Sequence, residues 1–273
     1  MTSSDDSKLG PLFAQPLELS TGLTIADLNR YLPALRKLED MKVAGDPEEG
    51  LFLADGLSGL AALPSESIDL VLADPPQHPW AGPEAPGKAL TLSDYYSWNQ
   101  SWLKASQRIL KPTGSIYLFS GWRYSGMYQA LLSEVFQIQM RITWRQANGR
   151  SAVPPRAWQN NLGDIWFATK SAKYYFRDDL RDVTGSGPGD PRSNLWSDIM
   201  TVVPDSTWIK GEKPSAVYQR VIRASSSKLN WVVDPFMRCG GSGIAAKNCG
   251  RRFIGFEVDR DHLLLAMKRI DRS

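Results

Sequence analysis

The stretch WVVDPFMRCGGSGIAAKNCGRRFIGFEVD, residues 231–259, constrains the fold more than any other part of the chain. An apolar run ends at Asp234, and a glycine-rich turn follows. GSGIAAKNCG (241–250) then has the length of a short helix and stops at Gly250. RRFIGFEVD returns as a second strand that ends at Glu257. Strand, tight turn, helix and strand make a parallel βαβ unit. Strands without alternating polar residues are those buried on both faces of a parallel sheet. SIDLVLA (67–73) is another such run, and it stops abruptly at Asp74, Pro75, Pro76 and Gln77.

The rest of the chain continues the alternation. LTIADLNRYLPALRKLEDM (23–41) has helical spacing interrupted at Pro33, GLFLADG (50–56) reads as a strand, and LSGLAALP reads as a helix. SDYYSWNQSWLKASQRIL (93–110) is expected to be a helix opened by a Ser or Asp cap, and SIYLFS a strand. Further strands are expected at 138–145, 164–169 and 173–177, a helix at KPSAVYQRVIRASS (213–226) and a closing helix at 260–270. The fold class is therefore α/β, a doubly wound, mostly parallel, Rossmann-like sheet. Residues 1–22 read as a flexible tail, 23–144 and 211–273 as two halves of one sheet domain, and 145–210 as an inserted segment. Within the insert, 183–208 is rich in Gly, Pro, Ser and Asp, which suits a mobile or ligand-dependent segment.

Composition excludes some classes. A net charge of +3 is too mild for a protein that coats DNA, although a local basic cleft remains compatible with it. No run approaches the roughly 20 apolar residues of a membrane span, and no signal-peptide pattern opens the chain. The expectation is a cytoplasmic protein with no membrane partner. Two cysteines and two histidines are too few for a metal site or a disulfide framework, so no metal is expected. Ten tryptophans are many for a core alone. Some are expected to line a surface that stacks on flat rings, although core packing accounts for any single one.

In open α/β sheets, ligands bind at the carboxyl ends of strands. A glycine turn there lets the backbone approach a ligand. An acidic residue about 20 positions later can accept both ribose hydroxyls, and Glu257 fits that position. Asp234 is placed to meet a cationic or amino group. Asp74 is a carboxylate at a third strand end, stiffened by two prolines.

DPFMRCGGSGIAAKNCGRRFIGFEVD resembles the S-adenosylmethionine-binding motif of the exocyclic-amino DNA methyltransferases, and DPP after a strand resembles their catalytic motif. LADGLSGLAALPSESIDLVLADPP, RILKPTGSIYLFSG and GEKPSAVYQRVIRASS extend the resemblance over roughly residues 50 to 270. The catalytic strand precedes the cofactor strand, as in the β-class of those enzymes; glutamine methyltransferases and many RNA enzymes run the other way. The resemblance implies the class I methyltransferase form of the sheet, S-adenosyl-L-methionine as cofactor and double-stranded DNA as partner. It also admits a homodimer and a companion restriction endonuclease. Asp74 and the carbonyl of Pro75, held stiff by Pro76, would accept hydrogen bonds from the base amine. Asp55, Asp74, Lys213, Asp234, Phe236, Gly240, Ser242 and Glu257 would surround the cofactor. For Asp55 and Lys213 the alternative is a residue that only starts a helix.

Two positions depart from the pattern. Gln77 stands where the family has Tyr, Phe or Trp, so Trp80 is a candidate for the missing aromatic face, with loop packing as its alternative. Arg238 stands where the family has its first glycine, Cys239 where a small polar residue is usual, and Gly241 and Ser242 where a threonine pair is usual. Arg145, Arg150 and Arg156 lie in the insert among Gln and Asn side chains suited to phosphates and base edges; a solvated loop is the alternative. Within the family an initial Asp favours N6 of adenine. A Gln77 amide able to donate to cytosine O2 or N3 tips the expectation marginally to N4 of cytosine. Two rivals remain: a catalytically silent relative that binds DNA or cofactor, and a nicotinamide oxidoreductase, in which DPP would have no role.

Overall fold

The computed structural model describes residues 22–42, 45–77, 91–145, 158, 160–180, 192–199, 209 and 212–273. Nine strands form one sheet: β1 (Arg36–Lys37), β2 (Gly50–Leu53), β3 (Ile68–Ala73), β4 (Leu110–Ser120), β5 (Gln137–Arg145), β6 (Leu162–Thr169), β7 (Leu195–Trp196), β8 (Trp231–Asp234) and β9 (Arg252–Glu257). Their spatial order is β1-β2-β9-β8-β3-β4-β6-β5-β7. All neighbours are parallel except β4 with β6 and β5 with β6.

The helices are α1 (Ile25–Tyr31), α2 (Gly56–Ala62), α3 (Leu92–Ile109), α4 (Ser125–Val135), α5 (Ser215–Ser225), α6 (Gly241–Asn248) and α7 (Arg260–Asp271). The central strands explain their own apolar runs. Val71 and Ala73 of β3, Ile116 and Leu118 of β4 and Val233 of β8 enter one core, with α2, α3 and α4. Leu70 and Leu72, Tyr117 and Phe119, and Val232 point the other way into a second core, with α5, α6 and α7. Successive strand residues face opposite sides, so a strand covered on both faces must be apolar throughout. No helix among the described residues is long and apolar enough to cross a membrane.

Several expectations need adjustment. The helix of residues 23–41 ends at Tyr31 and tightens into a 3₁₀ turn, Leu32–Ala34, around Pro33. Thr91, not Ser93 or Asp94, caps α3, in a reciprocal box with Asp94. Residues 173–177 form no strand. They make isolated bonds, Tyr175 N–H to Thr113 O at 3.0 Å and Arg177 N–H to Ala224 O at 2.8 Å. The reason is that β4 is already paired on both edges, by β3 and β6.

The insert assigned to 145–210 is not separate from the sheet, because β6 lies between β4 and β5. Of the stretch 183–208, expected to be mobile or ligand-dependent, residues 192–199 are anchored, and 183–191 and 200–208 lie outside the described residues. Thr143 N–H donates to Asn194 O at 2.8 Å, and the buried Arg220 pairs with Asp198. Helix α4 was not anticipated. Its amino end has no side-chain cap, so its sequence carries no start signal.

Candidate functional site

β3 and β8 are neighbours, but the chain leaves them in opposite directions. From β3 it passes through α3 to β4; from β8 it passes through α6 to β9 on the other side. A crevice opens at the carboxyl ends of two strands that part in this way. Asp74 and Asp234 stand on its two sides, with Glu257 ending β9 and Asp55 just beyond β2. A cleft of about 320 Å³ is lined by Asp74, Glu212, Tyr218, Phe236, Arg238 and Gly241 among others.

Asp234 is buried, with 3 % exposure. Its Oδ1 accepts the Phe236 N–H at 2.9 Å, and its Oδ2 accepts the Ser242 hydroxyl. Burial pushes its carboxyl up to about 7, aided by the negative charges of Asp74 and Glu257 and opposed by those two hydrogen bonds. Glu257 is also buried, and its Oε1 accepts the Asp259 N–H at 2.9 Å.

The turn between β8 and α6 needs left-handed backbone. Gly240 has φ +81°, and a Cβ there would lie 2.9 Å from the Cβ of Ala266. Arg238 has φ +48°. That geometry accounts for the family's usual glycine, since a side chain in this region costs about 1–2 kcal/mol. Arg269 holds the turn from outside. Its guanidinium donates to both carboxylate oxygens of Glu212, at 2.9 and 3.0 Å, and to Cys239 O at 2.8 Å. Burial pushes the Cys239 thiol up to about 12. Phe236 packs against Trp98 and Trp102, with ring centroids 5.5 and 5.3 Å away.

On the other side, Lys213 donates to Asp74 Oδ2 in a sheltered ion pair, the two side chains being 17 % and 14 % exposed. Pro76 O accepts the Tyr95 hydroxyl at 2.6 Å, and Tyr95 in turn meets the Tyr128 hydroxyl at 2.9 Å. Gln77 lies half-buried. Its Nε2 donates to Pro75 O at 2.8 Å and to Phe119 O at 3.1 Å, while its Oε1 accepts the Gly121 N–H at 2.7 Å. The amide therefore stitches the Asp74–Gln77 turn to the end of β4. Both of its N–H donors are used on backbone, and none is left for a base. Pro75 O keeps a second lone pair, which is free to accept another hydrogen bond.

The crevice thus brings together Asp74, Pro75, Pro76, Gln77, Lys213, Asp234, Phe236, Gly240, Ser242 and Glu257. Asp55 caps α2, accepting the Ser58 N–H at 3.0 Å, while the next residue, Gly56, touches the Pro235 carbonyl closely enough to exclude a Cβ. Arg145 is exposed at the end of β5. Trp80, Arg150 and Arg156 lie outside the described residues, as does the tail up to residue 21. Sequence reasoning missed the direct pairing of Lys213 with Asp74, the Glu212–Arg269 clamp and the Tyr95 support of Pro76. The adjacent Glu212–Lys213 charges were visible, but their partners lie far away in sequence.

Comparison with known proteins follows this geometry. A family profile described as DNA methylase matches residues 68–268. The type II methyltransferase M2.DpnII of Streptococcus pneumoniae is 26 % identical over 80 % of this chain and 88 % of its own length. The type II methyltransferase M.HpaI of Haemophilus parainfluenzae is 27 % identical over 82 % of this chain and 74 % of its own. Among solved structures, the cytosine-N4-specific PvuII DNA methyltransferase superposes with a TM-score of 0.67 at 19 % identity, covering 84 % of this chain and 88 % of that one. The M1.HpyAVI–SAM complex gives 0.59 at 20 % identity, covering 81 % and 98 %. The profile spans both strand ends of the crevice and most of the chain, and the chain belongs to the DNA methylase family, the S-adenosylmethionine-dependent enzymes that methylate N4 of cytosine or N6 of adenine.

Proposed function

We propose that this chain transfers a methyl group to the exocyclic amine of a base flipped out of double-stranded DNA, with Asp74 and Pro75 O as the acceptors that prepare the amine. The observation that carries this reading is the rigid end of β3. Asp74 is sheltered and ion-paired, Pro75 and Pro76 are fixed in backbone, Pro75 O is held by Gln77 of the same turn, and Pro76 O by Tyr95 of α3.

The residues present fit the cofactor. A buried acid at Asp234 suits an amino group, and Glu257 suits a ribose diol. Gly240 and Gly241 let the turn pack closely, since a Cβ would lie 2.9 Å from Ala266 or 2.5 Å from the Glu212 carboxylate, and Gly241 and Phe236 line the cleft. When bound, S-adenosylmethionine supplies an electrophilic methyl on a sulfonium.

The chain's own part is acceptance and alignment. An exocyclic amine is a poor nucleophile because its lone pair is delocalised into the ring. A carboxylate oxygen of Asp74 and the free lone pair of Pro75 O each accept one N–H, which returns density to nitrogen and fixes its direction. Lys213 holds the Asp74 carboxylate in place, and Gln77 and Tyr95 hold the two carbonyls. Positioning of this kind accounts for much of the barrier reduction in such reactions. The base must leave the duplex to reach a recessed site, because its amine is otherwise buried in pairing.

Gln77 no longer favours cytosine, because its amide is committed to Pro75, Phe119 and Gly121. Asp74 then remains as the signal, and it favours N6 of adenine. The reading extends to double-stranded DNA as partner, with Arg145 on the DNA side. Transfer of tritiated methyl to unmethylated phage DNA tests it. Wild type should label the DNA. Asp74→Ala should lose at least about 100-fold while S-adenosylhomocysteine binding stays roughly intact. Full activity in that variant would refute the mechanism.

A further inference from the structure

The aromatic face that position 77 lacks has a replacement on the neighbouring strand. β3 and β4 run parallel with Ala73 level with Leu118, so the turn beginning at Asp74 lies beside the end of β4. Beyond β4 come Gly121, Trp122 and Arg123. Gly121 donates its N–H to Gln77, and Tyr124 packs edge-on against Tyr95, whose hydroxyl holds Pro76 O. Two independent ties therefore fix the 121–124 turn to the catalytic turn. Between them sits Trp122, 64 % exposed, with the Arg123 guanidinium 5.7 Å from its ring centroid.

Exposure of a whole indole forgoes the stabilisation that burial would give. Tyr175, another exposed aromatic, lies elsewhere, since its N–H bonds to Thr113 O at the opposite end of β4.

We propose that Trp122, with Arg123 stacked on it, is the platform that holds the flipped base or its immediate neighbour beside Asp74. A flat ring gives stacking with little dependence on base identity. The cation beside it suits the flanking phosphate and reinforces the stack. Gln77 then has a clear use: it gives up the family's aromatic position and anchors the turn that carries the substitute. This inference rests on the methyltransferase reading above.

The test compares wild type, Trp122→Ala and Trp122→Phe in tritiated methyl transfer to unmethylated phage DNA, with S-adenosylhomocysteine binding and thermal unfolding measured in parallel. Trp122→Ala should lose about 5- to 100-fold in kcat/KM for DNA, the range expected for one lost base stack. Trp122→Phe should recover most of that loss. Cofactor binding and Tm should not change in either. Trp122→Ala activity within twofold of wild type overturns the proposal, as does a loss that phenylalanine does not restore. A wild-type chain that transfers no methyl to DNA overturns the methyltransferase reading itself and this proposal with it, which is a different outcome.

Discussion

Asp234 should make the chain lose stability as pH rises through neutrality. Its carboxyl stands at about 7 when folded and at the ordinary 3.8 when exposed. Because the folded value is raised, the folded chain holds a proton that the unfolded chain has released between those two values. Stability from this group is therefore greatest on the acid side and falls as pH climbs from about 4 through 7. With both values inserted in the linkage relation, the loss between pH 5 and pH 8 is roughly 2–3 kcal/mol. The perturbation is Asp234→Asn, which keeps the shape and the hydrogen-bonding position beside Ser242 but cannot ionise. Urea unfolding of both chains at pH 5 and pH 8 reads the difference. Wild type should lose roughly 2–3 kcal/mol more than the variant over that interval. Cofactor should reverse the preference, since an amino cation pairs only with the ionised acid. S-adenosylhomocysteine should bind wild type more tightly at pH 8 than at pH 5, and the variant weakly at both. Equal pH slopes in the two chains, or a variant that binds as wild type does, would refute the placement of Asp234 as a buried acid waiting for a cation.

Gln77→Ala removes three hydrogen bonds to backbone. It should cost about 2–3 kcal/mol by chemical unfolding and lower kcat with little change in cofactor affinity, which steady-state kinetics and calorimetry would separate. Gly240→Ala forces a Cβ into left-handed backbone 2.9 Å from Ala266. It should cost about 2–4 kcal/mol and weaken S-adenosylhomocysteine binding; an unchanged midpoint would contradict the tight turn.

The sheet was legible because its central strands announce themselves. LVLA before Asp74 and WVV before Asp234 are apolar at every position, which only burial on both faces explains, and each run is followed by an acid. The glycine turn and Glu257 followed from the same unit. The edge was less legible. The expected strand at 173–177 has the right residues, yet both edges of β4 are taken by β3 and β6, and pairing is decided by topology rather than propensity. Helix α4 begins without a capping side chain, so it left no mark in the sequence. Gln77 shows the deeper limit. Its identity was plain, but its three partners include Phe119 and Gly121, more than forty residues away. The Gln77 amide braces backbone at Pro75, Phe119 and Gly121, and no spacing in the sequence points to those partners. Arg238 worked in the opposite sense. An apparent defect in the cofactor motif became a φ of +48°, the conformation that makes glycine usual there.

The most direct measurement supplies S-adenosylmethionine with a deuterated methyl to the purified chain and unmethylated duplex DNA, digests the DNA to nucleosides and weighs them. The expected result is labelled N6-methyladenine, absent when Asp74→Ala replaces wild type. Labelled N4-methylcytosine would keep the acceptor mechanism and overturn the choice of base. Label on a ring carbon, or no label on DNA at all, would contradict an acceptor pair of Asp74 and Pro75 aimed at an exocyclic amine.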